Sequence, residues 1–435
     1  MHAEAYDPAE FWSRDQIEAT QLTRLKNVVS RVYNKCEFYR KRLDEAGVSP
    51  DSIKSLDDIE RIPFTTKDDL RSQYPLGLVI VDKADLVRLH CSSGTTGTPV
   101  AIAHTQNDLN TWADLMARCL HMVGVRREDV FQNMSGYGLF TGGLGIHAGA
   151  ERLGCMTIPA GAGNTARQIK LVKDFHTTVA HILPSYALIL GERLREMGED
   201  PADFPLRIAV VGAEPYTDAF RRRIESLFNM KVYNSYGLSE MNGPSVGFEC
   251  LEQNGLHVWE DAYFAEIVDP ETGKHVKPGE VGELVMTTLV REGMPILRYR
   301  TRDLTRFLPG TCPCGREHRR IDRILGRSDD MFICKGVNIY PQQIEDVLMR
   351  FPEVGRNYLI LLDNDNVGDV LRVQVEIREE YFVEDLRVLR GLQARIAHAL
   401  KNEILVTPRI ELVQSNSLPV SEGKAVRFRD QRNSK

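Results

Sequence analysis

The chain has 435 residues, 42% of them hydrophobic and 27% charged, with a formal net charge of −6. That length exceeds one ordinary core, so two or more domains of a globular protein are expected, and the negative balance argues against a nucleic-acid partner. No apolar run approaches the roughly 20 residues needed to cross a bilayer, and the acidic start "MHAEAYDPAEFWSRDQIEATQ" lacks the apolar core of a secretory signal, so a cytoplasmic enzyme without a membrane partner is expected.

Residues 1–85 read as largely helical. Within "EATQLTRLKNVVSRVYNKCEFYRKRLDEAG", Leu22, Leu25, Val28, Val29, Val32 and Tyr33 recur at three- and four-residue spacing. That is the apolar stripe of one surface helix, closed by Gly47. In "PFTTKDDLR", Thr66 is the expected N-cap of a second, short helix. From Val87 to about residue 325, short β-rich runs ("VFQNMS", "CMTIPA", "TTVAHILP", "LRIAVVGAE", "KVYNSYG") alternate with helical segments such as "TARQIKLVKDF" and "YALILGERLREMG". Alternation of this kind predicts an α/β fold with doubly wound, mostly parallel sheets. The stretch "AYFAEIVDPETGKHVKPGEVGELVMTTL", with its "DPETG" and "KPGE" turns, predicts antiparallel hairpins instead. Beyond "ILGRSDD", "NYLILLDNDNVGDVLRVQVEI" reads as two strands around a turn, "EDLRVLRGLQARIAHALKNEI" as a helix and "RIELVQ" as a last strand. Two domains follow: a large N-terminal one over residues 1–327, and a small α+β C-terminal one over residues 328–435.

Three stretches carry chemistry. In "CSSGTTGTP", Ser92, Ser93, Gly94, Thr95, Thr96 and Gly97 are small or hydroxylated. Such a run lets backbone N–H groups turn onto a phosphate, yet taken alone it is equally well a solvated loop, and without a lysine after the second glycine it is no Walker loop. "VVGAEP" is a strand end opening into a tight loop, the place where ligands bind in such sheets. "GYGLFTGG" sets Tyr137 and Phe140 among Gly138, Gly142 and Gly143. It suits a flat slot for an aryl ring, against the rival of two core aromatics on a glycine-rich turn. Of the eight cysteines most are isolated, as reduced thiols would be, but Cys312 and Cys314 stand two apart in "TCPCGREH", too close for an unstrained disulfide.

Five motifs in order resemble the adenylate-forming superfamily, which includes acyl-CoA synthetases and firefly-luciferase-like enzymes. They are "SSGTTGTP", "NSYGLSE", "YRTRD", "GRSDDMFICKGVNIYPQQIE" and "PVSEGKAVRFR". The closer resemblance, over essentially the whole chain, is to phenylacetate–CoA ligases, through "PFTTKDDLR", "GYGLFTGGLGIHAGAERLGC", "GLHVWED" and "RSDDMFICKGVNIYPQQIE". It implies activation of a small aryl carboxylate by ATP to an acyl-adenylate, followed by transfer to coenzyme A. It also implies a C-terminal domain that rotates about a hinge between the two steps.

The same resemblance implies the roles. Residues 92–97 would hold the β and γ phosphates, and Glu240 would hold Mg²⁺, a hard cation suited to carboxylate oxygens. Gly212, Ala213 and Glu214 would lie near the adenine and the acyl carbonyl. Asn234, Ser235, Gly237 and Ser239 would belong to the nucleotide site, with Tyr236 flat against the adenine. Asp303 would accept both ribose hydroxyls, assisted by Arg327. Lys424 would bridge the carboxylate and the α-phosphate, Asp329 would be the hinge, and Lys335 and Gly336 would line the tunnel for the CoA thiol. A zinc-carrying subset of the family suggests a closed, structural Zn²⁺ site from Cys250, His257, Cys312 and Cys314, with His318 as a substitute ligand and free thiols as the alternative. The resemblance leaves room for a carrier-protein or deazaflavin acceptor in place of CoA. A non-catalytic nucleotide-binding scaffold is disfavoured by intact Lys424, Glu240 and Asp303. A homodimer is a candidate assembly.

Overall fold

The computed structural model describes residues 5–92, 98–214, 216–365, 368–381, 386–418 and 427–432. It opens with α1 (Arg14–Lys35), α2 (Glu37–Glu45) and α3 (Lys67–Ser72). The single helix expected over residues 18–47 is two. Cys36 is extended (φ −121°, ψ 112°), ending α1 and starting α2 at a corner, with its buried sulfur 3.8 Å from the Gly77 carbonyl. Tyr39 and Leu43 on α2 nonetheless join Leu25, Val28, Val29 and Val32 of α1 in one core, so the periodicity runs unbroken through the corner. Gly47, at φ +65°, takes the left-handed turn that closes α2, and Val48 N–H donates to the Leu43 carbonyl at 2.8 Å. The Thr66 hydroxyl caps α3 as expected, accepting from Asp69 N–H.

A hairpin of β1 (Leu86–Cys91) and β2 (Ala101–Thr105) leads into α4 (Gln106–Met122). The α/β core then runs β3 (Val130–Asn133), α5 (Thr141–Leu153), β4 (Met156–Ile158), α6 (Thr165–Asp174), β5 (Val179–His181), α7 (Pro184–Glu196), β6 (Ile208–Gly212), α8 (Asp218–Phe228) and β7 (Lys231–Leu238). Strands β8 (Gly243–Glu249), β9 (Leu256–Val258), β10 (Tyr263–Val268), β11 (Gly282–Thr288), β12 (Tyr299–Thr305), β13 (Arg320–Ile321) and β14 (Gly326–Arg327) follow. The order in the largest sheet is β13-β9-β8-β7-β6-β5-β3-β4, parallel from β4 to β7 and antiparallel beyond, so among the named strands before residue 327 parallel pairing is confined to one mixed sheet. The order β10-β11-β12-β14 makes a wholly antiparallel sheet, as the turn-rich segment predicts.

Both faces of the parallel region are covered, and successive residues show it. On β6, Ile208 and Val210 face a cluster with α4 and α5 residues Leu115, Met116, Ile146 and Ala150, while Ala209 and Val211 face α6, α7 and α8 residues such as Val172, Leu190 and Ile224. A period of two feeding two cores is what double winding requires. Past residue 327 come β15 (Phe332–Cys334), β16 (Val337–Ile339), α9 (Pro341–Leu348), β17 (Val354–Asp365), β18 (Gly368–Ile377), α10 (Leu386–Ile404), β19 (Arg409–Val413) and β20 (Phe428–Asp430). Their sheet, ordered β19-β18-β17-β20, packs with α9 and α10 in an apolar cluster of its own. Among the described residues no helix is long and apolar enough to cross a membrane.

Candidate active site

The C-terminal ends of β6 and β7 meet where the sequence motifs converge. Gly212 closes β6 with no space for a side chain: an added β-carbon would lie 2.3 Å from the Ser235 carbonyl. Ala213 follows at φ +65°, a left-handed conformation that strains a residue with a β-carbon. The Glu214 carboxylate accepts from Ser185 N–H (3.2 Å) and the Ser185 hydroxyl (3.0 Å), so it caps the first turn of α7. On β7, Asn234 N–H donates to Glu249 at 2.7 Å and Ser235 is buried. A β-carbon on Gly237 would stand 1.7 Å from the Gly243 carbonyl, so only glycine fits this close approach of β8.

The strongest local network joins Tyr236, Asp303 and Arg327. The Tyr236 hydroxyl donates to one Asp303 oxygen at 2.6 Å, and the Arg327 guanidinium donates to the other at 3.1 Å. The register of the antiparallel sheet creates the second contact, because Asp303 on β12 pairs directly with Arg327 on β14. Burial and the Asp303 carboxylate push the Tyr236 hydroxyl well above its ordinary value, so it stays a donor. Arg327 also pairs with Asp329 at 2.9 Å, and Asp329 with Asp303 outweighs burial to hold the guanidinium charged. Tyr236, Asp303, Arg327 and Asp329 thus form one connected chain.

Beside it, Glu240 is buried in a short turn after β7, where the Tyr299 hydroxyl donates to its carboxylate at 3.0 Å. Fully buried Arg291 donates to the Glu240 carbonyl at 2.6 Å and to the Asn242 side chain. Tyr299 and Arg291 escaped the sequence reading. Tyr299 opens "YRTRD", but nothing in the pattern around Arg291 marks it. Thr141 links α5 to Ser239, oxygen to oxygen, at 3.4 Å.

Ser92 sits at the stem of the β1–β2 hairpin, its N–H donating to the Val100 carbonyl (2.9 Å) and its hydroxyl accepting from Val100 N–H (3.2 Å). The expected phosphate-binding residues Ser93, Gly94, Thr95, Thr96 and Gly97, and Lys424, lie outside the described residues. Of the expected slot, Tyr137 is half-buried and its hydroxyl lies 3.1 Å from His147 Nδ1, whereas Phe140, just before α5, is 57% exposed. Gly142 has open space around it, and Gly143 packs against the Gly136 backbone. Lys335 and Gly336 are exposed and form the two-residue tip between paired Cys334 and Val337, at φ +53° and +79°. Two successive left-handed residues make a type I′ hairpin turn, which accounts for the glycine by backbone geometry; a β-carbon there would meet nothing within 4 Å.

In a second cluster, Cys250, His257, Cys312 and Cys314 present four ligand atoms that all lie within 4.8 Å of one another. Cys250 Sγ is 3.6 Å from Cys312 Sγ, and Cys314 Sγ is 3.3 Å from His257 Nε2. His257 donates from Nδ1 to the His318 carbonyl at 3.1 Å, which fixes the tautomer and turns Nε2 toward the sulfurs. The Cys250 contact, against burial and joined by His257, pulls the Cys314 thiol down toward thiolate. His318 is no substitute ligand: Nε2 donates to the Ala9 carbonyl at 2.8 Å and Nδ1 accepts from Glu260 N–H at 3.1 Å.

The sequence profile of the family described as AMP-binding enzyme matches residues 21–289, and that of the AMP-binding enzyme C-terminal domain matches residues 336–432. The chain is 44% identical to the phenylacetate-coenzyme A ligase of Thermus thermophilus, covering 97% of this chain and 98% of that one. Among solved structures, 2-hydroxyisobutyryl-CoA ligase in the postadenylation state with 2-HIB-AMP superposes with a TM-score of 0.92 at 30% identity, over 98% of this chain and 92% of that chain. In its thioesterification state, with 2-HIB-AMP and CoA, the same ligase gives 0.72 at 31% identity over the same shares.

Proposed function

The chain belongs to the AMP-binding enzyme family, in its phenylacetate–CoA ligase branch, and from that membership we propose that its acid substrate is phenylacetate or a similar aryl carboxylate. The protein is an ATP-dependent, adenylate-forming acid–CoA ligase, using ATP and CoA. The observation that carries the assignment of its site is the meeting of Tyr236, Asp303 and Arg327, drawn from three segments onto one corner beside Glu240. In this reading Tyr236 covers the adenine, Asp303 accepts the ribose hydroxyls and Arg327 holds Asp303 in place.

Glu240 would hold Mg²⁺ with the phosphates, whose charge residues 92–97 and Lys424 would neutralise as it develops. Tyr137 and Phe140 would wall the acyl slot; the exposure of Phe140 suits a slot open at its mouth before acid binds. Residues 328–435 would turn about Asp329 after adenylation and bring the Lys335–Gly336 tip to the CoA path. Support for that motion lies in the comparisons, since one homologue fits this chain at 0.92 in one catalytic state and 0.72 in the other. A fixed fold with a displaced part gives that contrast. The Cys250, His257, Cys312 and Cys314 cluster fits a structural Zn²⁺ in donor chemistry and crowding.

The test is ATP–pyrophosphate exchange by the purified protein against a panel of aryl and linear acids, followed by CoA thioester formation. Phenylacetate or a close aryl acid should give the highest kcat/KM. Exchange driven equally by linear acids of the same carbon count would remove the aryl reading and leave the ligase class standing.

A further inference from the structure

The turn from Ser135 to Gly143, which carries Tyr137 and Phe140, is held from beneath by a side chain with no role so far. Asn133 is fully buried at the end of β3. Its Oδ1 accepts from the Ser135 N–H (3.2 Å) and the Ser135 hydroxyl (2.8 Å), and its Nδ2 donates to the Gly143 carbonyl (2.8 Å). One carboxamide therefore ties the first and last residues of the turn together. Where they meet, a β-carbon on Gly143 would stand 2.3 Å from the Gly136 carbonyl, so the start of the turn touches the first turn of α5 backbone to backbone.

Asn133 is itself oriented. His181, buried on neighbouring β5, has Nδ1 2.9 Å from the same Oδ1. An amide oxygen only accepts, so Nδ1 carries the proton. Burial pulls this imidazole down to about 4, which keeps it neutral in ordinary buffers. Backbone bonds bracket the pair, with Met134 N–H donating to the His181 carbonyl at 2.9 Å and Gly161 N–H to the Asn133 carbonyl at 3.1 Å. Further along the turn, the Leu139 carbonyl accepts from Cys91 N–H (2.9 Å) and His90 Nδ1 (3.1 Å), and the Tyr137 hydroxyl meets His147, whose Nε2 pairs with Glu151 at 3.0 Å. The turn is pinned at both ends and in the middle.

We propose that Asn133, oriented by His181, is a positioning residue that fixes the shape of the acyl slot and thereby its preference for aryl over linear acids. The proposal rests on the reading of Tyr137 and Phe140 as walls of that slot. Its logic is geometric: a flat ring needs walls at a set spacing, whereas a flexible chain adapts to a wall that has moved. A purely structural Asn133 would instead lower stability and affect every substrate alike.

Asn133→Asp keeps an acceptor for Ser135 and His181 but sets an oxygen against the Gly143 carbonyl, so the far end of the turn should open. Initial rates of the full chain would be measured with phenylacetate and octanoate, each varied at saturating ATP and CoA, and with ATP varied, beside thermal unfolding. The expected result is a KM for phenylacetate raised about tenfold, with the KM values for octanoate and ATP changed by less than about threefold. His181→Ala should give the same pattern, and His181→Asn, whose Nδ2 can take the place of Nδ1, should restore the wild-type ratio; this pair carries the test if Asn133→Asp fails to fold. Equal changes for both acids and ATP, or an unchanged phenylacetate KM in folded variants, would overturn the proposal. Phe140→Ala separates the two layers. If it leaves the acid preference untouched, the slot assignment falls and takes the proposal with it. If it alters the preference while the Asn133 and His181 variants do not, the positioning role alone falls.

Discussion

Replacing Asp303 by asparagine probes the proposed ribose contact with little change in volume. Its carboxylate accepts the Tyr236 hydroxyl on one oxygen at 2.6 Å and the Arg327 guanidinium on the other at 3.1 Å, with the side chain 13% exposed. A carboxylate has about four lone-pair sites, so it can accept from more donors than an amide oxygen can. Asparagine keeps one acceptor oxygen and offers a donor in place of the other, and it removes the charge that Arg327 answers. A charge-assisted hydrogen bond contributes about 1.5–3 kcal/mol. Losing one ribose bond and weakening the second should cost about 2–3 kcal/mol, or about 30- to 140-fold in the KM for ATP. Exchange of labelled pyrophosphate into ATP, with ATP varied at saturating acid, reads this directly, and thermal unfolding checks the fold. The KM for the acid should move far less, because the proposed acyl slot lies on another segment. A folded Asp303→Asn protein whose ATP KM stays within about threefold of wild type would refute the ribose assignment.

Lys424→Ala should cripple adenylation while sparing thioester formation from supplied acyl-adenylate, because a cation beside the α-phosphate is needed only in the first step; equal loss of both half-reactions would defeat that role. Protein purified without chelator should carry about one zinc per chain by metal analysis. Cys312→Ser should lower its unfolding temperature with nearly unchanged KM values, and fully stable metal-free protein would return the cluster to free thiols. His275 lies 2.9 Å from Glu60 and 2.8 Å from Glu266. The Glu266 hydrogen bond, opposed by burial, raises its pKa above the ordinary value of about 6.5. Its contribution to stability is therefore full below that value and is lost as pH rises through the raised folded value. The difference in unfolding temperature between wild type and His275→Gln should be widest near about pH 6 and narrow above neutrality; a gap that widens with pH would count against the ion pair.

Most of the framework was legible because it is written in periods and punctuation. Alternating strands and helices marked the parallel part of the mixed sheet, "DPETG" marked the β10–β11 hairpin, and Gly47 and Thr66 marked the helix ends at which they stand. The corner at Cys36 was not legible, since no breaker stands there and both helices bury the same stripe. Each proposed nucleotide residue takes its place from a motif, but the contact between Asp303 and Arg327 depends on which strand pairs with which. Asn133 and His181 were invisible for the same reason: they are ordinary residues on neighbouring strands, and only parallel pairing of β3 with β5, with Asn133 opposite His181, makes them partners. His318 was misjudged because a histidine near cysteines suggests a ligand, whereas both its nitrogens serve the backbone.

The chain's apolar clusters divide at the same place as its two family profiles. Cys250 and Cys312 belong with α1, α4 and β8 in one, and β17, β18, α9 and α10 fill another. Contacts across the gap include an ion pair, Arg323 with Asp346 at 3.3 Å, the Ser328 N–H donating to the Arg302 carbonyl at 2.7 Å, and Met349, which packs against the cluster of α6, α7 and α8. Separate cores need not melt as one cooperative unit. A calorimetric trace would then resolve two transitions, and each ligand would lift only those it touches. Metal would raise the first alone. A nucleotide gripped from both sides would raise both and draw them together, so the heat-capacity profile of the loaded protein would record, without any measurement of rate, whether the small unit has closed onto the large one.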